Sequence, residues 1–160
     1  MTSVLNIFSL SWTESAALHV DDEDRDVFFS DAMNKMIKLF ISIVLVIIAF
    51  MPFAFKVLVN EQYNEAYYYI PILLLSTVFN GAVIVYSGIY IAKKLTKQVA
   101  VTSMMAAILN IVINLILIKF IGLYAAAIST MLSYMIMAIY RHYDLKKYVN
   151  IKYEKELIIR

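Results

Sequence analysis

The sequence predicts an all-α fold, a polytopic transmembrane helical bundle with about four full spans and a partial span at the N-terminus. Three observations lead to this prediction. First, 62% of the 160 residues are hydrophobic and 16% are charged, whereas soluble domains average about 45–50% apolar and about 25% charged residues. Second, uncharged runs recur along the chain, each close to the roughly 20 residues that cross a bilayer. Third, lysines and arginines lie beside the ends of these runs.

Charge and cysteine content exclude several other classes. The formal net charge is +2, and the basic residues form no run of the kind that binds nucleic acid. The chain has no cysteine, which excludes disulfides and thiolate metal sites. His19 and His142 lie too far apart in sequence to suggest a metal cluster. We therefore predict no cofactor and no nucleic-acid partner.

The apolar runs and the polar stretches between them divide the chain into ten segments. The transmembrane segments are a partial helix at 1–18 and full helices at 39–58, 70–92, 99–118 and 123–141. The connections are an acidic cytoplasmic loop with an interfacial segment at 19–38, an external loop at 59–69, a basic cytoplasmic loop at 93–98, an external turn at 119–122 and a cytoplasmic tail at 142–160.

The N-terminal segments are the least regular. Residues 1–18 are apolar at first and then include Trp12 and Glu14, a composition that does not fit a signal peptide. We interpret them as the end of a span. The acidic run at 21–26 has neither the glycine nor the terminal glutamate of a calcium loop. The stretch after it either lies along the membrane interface or is a solvated loop with a helix start near Asp26.

The next two spans have clear boundaries. Lys38 and Lys56 flank the run at 39–55 and can extend outward at its two ends. Tyrosines follow, which suit the headgroup layer, and Pro71 opens the next span in its first turn, where its missing N–H costs little. Helical spacing then places a largely polar face on this helix, formed by Ser76, Asn80, Val83, Ser87 and Tyr90.

A helical hairpin at 99–141 completes the bundle. Its first helix carries Asn110 and Asn114 one turn apart on one face, and both require a protein neighbour because lipid offers no hydrogen bonds. Its second helix carries a stripe of small residues, Ala125, Ser129 and Ser133, which predicts close helix packing.

The distribution of basic residues predicts the orientation. Twelve of the 14 lysines and arginines lie in the 19–38 segment, the 93–98 loop or the tail with its preceding Arg141. The other side of the membrane has Lys56 and Lys119. The positive-inside rule therefore places the acidic segment, the basic loop and the C-terminus in the cytoplasm.

The order of several short motifs resembles a known family. PFAFKVLV, AYYYIPIL, GIYIAKK, LNIVINLILI and AAAIST follow one another between Pro52 and Thr130. From about Trp12 to Arg141 the chain resembles the polysaccharide-transporter (O-antigen flippase) branch of the multidrug/oligosaccharidyl-lipid/polysaccharide exporter superfamily. Such proteins have two lobes of helices around a central cavity, and this chain is similar to part of the C-terminal lobe. Tyr124 departs from the pattern, in which a small residue more often precedes the alanines.

The resemblance implies a function. It suggests a half-unit of a flippase in the bacterial inner membrane that moves undecaprenyl-diphosphate-linked oligosaccharide, for O-antigen or capsular polysaccharide assembly, by alternating access. The implied partners are the lipid bilayer, the lipid-linked oligosaccharide and a missing N-terminal lobe or a second copy of the chain. No enzyme is expected, since neither histidine has the surroundings of a Ser-His-Asp set.

The candidate site residues allow two interpretations. Asn80, Ser87, Asn110 and Asn114 either line a substrate cavity or form interhelical hydrogen bonds, which contribute roughly 0.6–2 kcal/mol each in a membrane.

Trp12 and Glu14 are further candidates, because an ionisable group within the bilayer costs roughly 2.5–3.5 kcal/mol at its centre and often marks a transport pathway. Glu14 is also the candidate acid if the chain belongs to a multidrug or cation antiporter. A non-transporting membrane scaffold is the third alternative.

Overall fold

A computed structural model describes residues 2–58 and 66–152. Within these ranges the chain forms five α-helices and no strand, so the predicted all-α fold is confirmed for this part of the protein. The helices are α1 (Thr2–His19), α2 (Arg25–Leu58), α3 (Ala66–Ala92), α4 (Thr96–Ile121) and α5 (Tyr124–Leu145). Most of the predicted external loop and the end of the predicted tail lie outside the described residues.

Three of these helices are long and apolar enough to cross a membrane. They extend over Arg25–Val57, Ala66–Ala92 and Thr96–Ile121. The prediction of four full spans is not confirmed, because α5 is not among the three. Its tyrosines, serines and Arg141 reduce its apolar character, and the structure shows why they are tolerated: Ser129, Ser133 and Arg141 are buried against neighbouring helices.

The 25–38 stretch is helical and continuous with the following span. Helix α2 begins at Arg25, with Asp26 in its first turn, where a carboxylate interacts favourably with the helix dipole. No proline or glycine lies between Asp26 and the predicted span. The 25–38 stretch and the span at 39–58 therefore form one continuous helix of 34 residues. Of the two interpretations left open for this stretch, the helix start near Asp26 matches the structure.

Helix α3 also begins earlier than predicted. It starts at Ala66, so Pro71 lies inside the helix and not in its first turn. Because proline has no N–H, the carbonyl of Tyr67 loses its usual helical partner. The tyrosines of this turn pack together there: Tyr67 contacts Phe55 and Tyr69 contacts Tyr124 edge-on.

Helix α3 lies at the centre and packs against the other four helices. Its buried residues include Tyr86, Ile89 and Tyr90. Helix α2 contributes Phe29, Met33, Met36 and Phe40 to the same core. Their spacing of four, three and four residues forms the apolar stripe of a packed helix.

The predicted tail folds back on the bundle. Val149 and Ile151 are buried in the core, although the sequence suggested only a weakly amphipathic tail. The backbone N–H of Lys152 donates to Ser30 Oγ at 2.9 Å, and Asn34 Nδ2 donates to the carbonyl of Lys152 at 3.2 Å. The N-terminal part of α2 therefore binds the segment that follows α5.

Candidate functional site

A cavity lies between α3, α4 and α5, with several polar groups in a mainly apolar lining. Its volume is about 560 Å³. Five polar residues line it, together with apolar residues from the same three helices. The polar residues are Asn80, Ser87, Ser103, Asn110 and Ser133.

Helical spacing explains this arrangement. Asn80 and Ser87 are seven residues apart on α3, and Ser103 and Asn110 are seven residues apart on α4, which is close to two helical turns. Helices α3 and α4 are antiparallel and joined by residues 93–95, and α4 begins within the predicted 93–98 loop, at Thr96. Ser87 and Ser103 lie near this 93–98 connection. Asn80 and Asn110 lie about 10 Å further along. The polar groups thus occupy the two ends of one face.

Arg141 occupies the end near the 93–98 connection, and its side chain is fully buried. On the α3 side, Nη1 donates to the Val83 carbonyl at 3.1 Å and to Ser87 Oγ at 2.5 Å. On the α4 side, Nη2 donates to the Val99 carbonyl at 3.2 Å and to Ser103 Oγ at 3.0 Å. A guanidinium on α5 therefore links all three helices.

Thr102 completes the set of acceptors, receiving hydrogen bonds from Nε at 3.0 Å and from Nη2 at 2.8 Å. Its own hydroxyl donates to the Gln98 carbonyl, and that of Ser87 donates to the Val83 carbonyl. Because each hydroxyl proton points to its own helix backbone, the oxygen lone pairs are free for Arg141. All five guanidinium N–H donors thus have an acceptor.

The acceptors of Arg141 are neutral. Among the described residues no carboxylate forms an ion pair with it. The Tyr90 ring lies 5.9 Å from its Cζ atom, within the range of a cation–π contact. Tyr90 in turn donates from its hydroxyl to Asp144 Oδ2 at 2.8 Å. The positive charge is therefore held by dipoles and an aromatic face.

The opposite end of the cavity has a weaker link. Asn110 Nδ2 donates to Thr130 Oγ1 at 3.3 Å, and Ser129 Oγ donates to Asn110 Oδ1 at 3.4 Å. Both distances exceed the usual range for such bonds. Asn110 thus joins α4 to α5 through two long hydrogen bonds between neutral groups.

On α4 and α5, two polar side-chain atoms are buried without a hydrogen-bond partner in the described part of the chain. They are Ser133 Oγ and Asn114 Oδ1. Ser133, which the sequence assigned to helix packing, lines the cavity, whereas Asn114 is not among its lining residues. An unpartnered buried hydroxyl costs about 1–3 kcal/mol, so water or a ligand at Ser133 would recover that energy.

The other residues predicted for packing lie on α5 near Asn110. Ala125 and Ser129 are fully buried. The single proton of the Ser129 hydroxyl has two acceptors, the Ala126 carbonyl at 3.2 Å and Asn110 Oδ1 at 3.4 Å, so Ser129 contributes to packing and lies within reach of Asn110.

Trp12 and Glu14 lie on α1, outside the cavity. Trp12 is buried, and its Nε1 donates to the Val85 carbonyl at 2.9 Å. A Cβ atom at Gly88 would lie 2.5 Å from Trp12 Nε1, so the indole packs where α3 has no side chain. Glu14 is exposed on α1. The structure thus brings Asn80, Ser87 and Asn110 together and leaves Trp12 and Glu14 elsewhere.

Arg141 is a site residue that the sequence did not predict. Its position at the end of an apolar run placed it among the cations at the cytoplasmic boundary, yet the side chain is enclosed by the bundle. The available signal was a set of hydroxyl residues at matching depth on the two neighbouring helices: Ser87 precedes the 93–98 connection by about as many residues as Thr102 and Ser103 follow it. Elsewhere in the described ranges, no three His, Asp or Glu side chains come together as a metal site.

In the described residues, the fold and the site define an all-helical arrangement in which three helices are long and apolar enough to cross a membrane and a cavity with several polar groups lies beside a buried arginine. No family model matches the chain, and no curated protein or solved structure matches it either.

Proposed function

We propose that this chain is one half-unit of a membrane transporter, a flippase that moves lipid-linked oligosaccharide across the bacterial inner membrane by alternating access. The observation that carries the proposal is the polar cavity between α3, α4 and α5. Uncharged hydrogen-bonding groups such as Asn80 and Asn110 line it, and such groups suit the hydroxyls of a sugar better than they suit a lipid tail.

An apolar groove beside the cavity supports a substrate with a lipid tail. It lies between α4 and α5, has a volume of about 340 Å³, and is lined by residues that include Leu109, Val112 and Ile136. Ala106 and Met137 line both spaces. A molecule with a polar head and a hydrocarbon chain would therefore find both environments side by side.

The proposal requires a second lobe. Alternating access moves two helical units against each other around the substrate, and this chain would supply one of them. The other is an N-terminal lobe or a second copy. Apolar residues that α4 exposes, such as Met104, Ile108 and Leu115, are available for contact with that lobe or with lipid.

The multidrug or cation antiporter is less well supported. Such a protein needs an acid that faces the substrate, and Glu14 is exposed on α1. The residues that line the cavity in the described part of the chain include no acid. The flippase is therefore the function that we take forward.

Cysteine labelling tests the proposal in the naturally cysteine-free chain. We expect an aqueous maleimide to modify Asn80→Cys, which lines the cavity, and not Ile116→Cys, a matched position on the exposed apolar surface of α4. Adding undecaprenyl-diphosphate oligosaccharide should slow the labelling of Asn80→Cys severalfold. Undecaprenyl phosphate without sugar should slow it less.

Two results would contradict the proposal. If Asn80→Cys is as unreactive as Ile116→Cys, the cavity holds no water and the scaffold alternative is favoured. If Asn80→Cys reacts but the lipid-linked oligosaccharide does not protect it, the chain has an aqueous cavity with a different substrate.

A further inference from the structure

Arg141 lies where the cavity ends. The lining residues closest to the 93–98 connection are Ser87 on α3, Ser103 on α4 and Met137 on α5. Arg141 lies one turn beyond Met137 and donates to both serines. Because its side chain has no exposed surface, the guanidinium fills the space between the three helices at this end.

We propose that Arg141 is a positioning residue that closes the cavity toward the 93–98 connection, and that this end opens when its guanidinium releases α3 and α4. The inference rests on the proposed transport function, because a closed end has a role only if the cavity holds a substrate. It adds a residue and a direction of opening to that function.

The hydrogen bonds define what opening requires. Moving α5 away from α3 breaks the bonds to the Val83 carbonyl and Ser87, and moving it away from α4 breaks those to Thr102, Ser103 and the Val99 carbonyl. Helices α3 and α4 meet mainly through α5. One side chain therefore holds both neighbours.

The positive charge of Arg141 disfavours states between closed and open. A guanidinium that leaves its acceptors in an apolar bundle needs replacement hydrogen bonds, because an unpaired buried charge is strongly unfavourable. Water can supply them only by entering between the helices at this end. Release of Arg141 and entry of water are thus one event, and partial opening is disfavoured.

The acceptors also suit a reversible contact. Ser87, Thr102 and Ser103 are neutral, so Arg141 leaves no buried carboxylate behind when it moves. A buried carboxylate partner would lose its counterion at the same step, which raises the cost of opening.

Sided cysteine labelling tests this inference. Asn80→Cys reports access to the cavity, and Lys97→Cys and Lys119→Cys, both at exposed positions, identify the side reached by a membrane-impermeant maleimide. We expect Arg141→Met to raise the labelling of Asn80→Cys at least tenfold from the side that labels Lys97→Cys. Labelling from the side of Lys119→Cys should stay within twofold of that in the parent chain.

Arg141→Lys and Lys147→Met serve as matched controls. Lysine keeps the charge but has three donors instead of five, so Arg141→Lys should raise labelling less than Arg141→Met does. Lys147→Met removes an exposed cation just after α5 that pairs with Asp144 and reaches Arg141 through Asp144 and Tyr90, so it should change the labelling by less than twofold. If Arg141→Met fails to fold, as judged by the emission of Trp12, the single tryptophan, the Arg141→Lys variant decides the test.

The outcomes separate this inference from the proposed function. If Asn80→Cys is labelled in the parent chain from the Lys119 side, but no Arg141 variant admits reagent from the Lys97 side, the cavity stands and the role of Arg141 is wrong. Equal increases from both sides indicate a merely structural residue and also overturn the inference. If Asn80→Cys is silent from both sides in every folded variant, the proposed function itself fails.

Discussion

At the two ends of the cavity, different polar groups connect the helices. At the end near the 93–98 connection, the charged guanidinium of Arg141 donates to acceptors on two helices at 2.5–3.2 Å. At the other end, Asn110 makes two neutral bonds to α5 at 3.3 and 3.4 Å. Hydrogen bonds to charged groups contribute about 1.5–3 kcal/mol each, whereas neutral ones contribute about 1 kcal/mol.

The comparison shows that a contact between helices in this bundle is stronger where the hydrogen-bond donor is charged than where it is neutral. The Arg141 end involves three helices at once, so its bonds form and break together. The Asn110 end involves α4 and α5 alone. We therefore expect thermal motion to separate α4 from α5 at Asn110 while the Arg141 end stays closed, and the following predictions address that asymmetry.

The largest effect is expected at Arg141. Replacing it with methionine keeps much of the apolar volume but removes every donor, so we expect a loss of unfolding free energy on the order of 3 kcal/mol. Thermal unfolding of the purified protein in detergent measures this. Lys147→Met should change stability by less than about 0.5 kcal/mol. An Arg141→Met variant as stable as the parent chain would show that the hydrogen bonds of Arg141 make no net contribution to the unfolding free energy.

The next largest effect is expected at Gly88, which follows Ser87 on α3 and packs against the Trp12 indole. A Cβ atom there would lie 2.5 Å from the rigid Trp12 ring, so Gly88→Ala should cost about 1–3 kcal/mol and alter the Trp12 emission. At Gly81 the nearest atom to a Cβ is the Met36 sulfur at 2.6 Å. That flexible side chain can move, so Gly81→Ala should cost less. Equal losses would contradict this packing.

A smaller effect is expected at the Asn110 end. Interhelical hydrogen bonds in membranes contribute about 0.6 kcal/mol on average, so Asn110→Leu should lower the unfolding free energy by about 1 kcal/mol for its two bonds. Asn114→Leu is the matched variant one turn away. It removes a buried oxygen that has no partner in the described structure and should be neutral or stabilising. If Asn114→Leu lowers the unfolding free energy more than Asn110→Leu does, then Asn114 and not Asn110 forms the stabilising interhelical contact.

The smallest effect is expected at Asp144, which receives the hydrogen bond from Tyr90 behind Arg141. The hydrogen bond from Lys147 chiefly, and that from Tyr90, lower the pKa of the Asp144 carboxyl below its ordinary value of 3.8. A carboxyl whose pKa is lower in the folded state stabilises the fold above its unfolded pKa, and this contribution is lost as the pH falls below about 3.8. We expect Asp144→Asn to weaken the acid dependence of the unfolding midpoint below pH 4. If the unfolding midpoint of Asp144→Asn depends on pH below 4 as strongly as that of the parent chain, this role of Asp144 is wrong.

Composition and periodicity were sufficient to predict an all-helical fold and much of the polar face. Asn80 and Ser87 share a face because of their helical spacing, and the structure shows that this face meets Asn110. The depth of Arg141 was not predictable in the same way. A basic residue at the end of an apolar run usually anchors the helix at the membrane surface, and its burial depends on hydroxyls from two other helices.

The extents of α2 and α5 illustrate the same limit. Hydropathy distinguished the amphipathic 25–38 stretch from the span that follows it, but helix continuity depends on the absence of a breaker and on packing of Phe29, Met33 and Met36. For α5, the length of the uncharged run between Lys119 and Arg141 suggested a span. The hydrogen bonds of Arg141 within the bundle are a tertiary effect that a sequence pattern does not contain.

The length of α2 has a consequence for the acidic run at 21–26. A 34-residue helix is about 51 Å long, whereas the hydrocarbon layer is about 30 Å thick and each headgroup layer adds about 6 Å. From Arg25 to Lys56 the helix is about 47 Å long, so with Lys56 at one edge of the hydrocarbon layer an upright α2 carries its N-terminus about 11 Å past the headgroups on the other side. That distance exceeds the Debye length of about 8 Å at physiological ionic strength, so the four carboxylates at 21–24 are screened from the negative charge of anionic lipids.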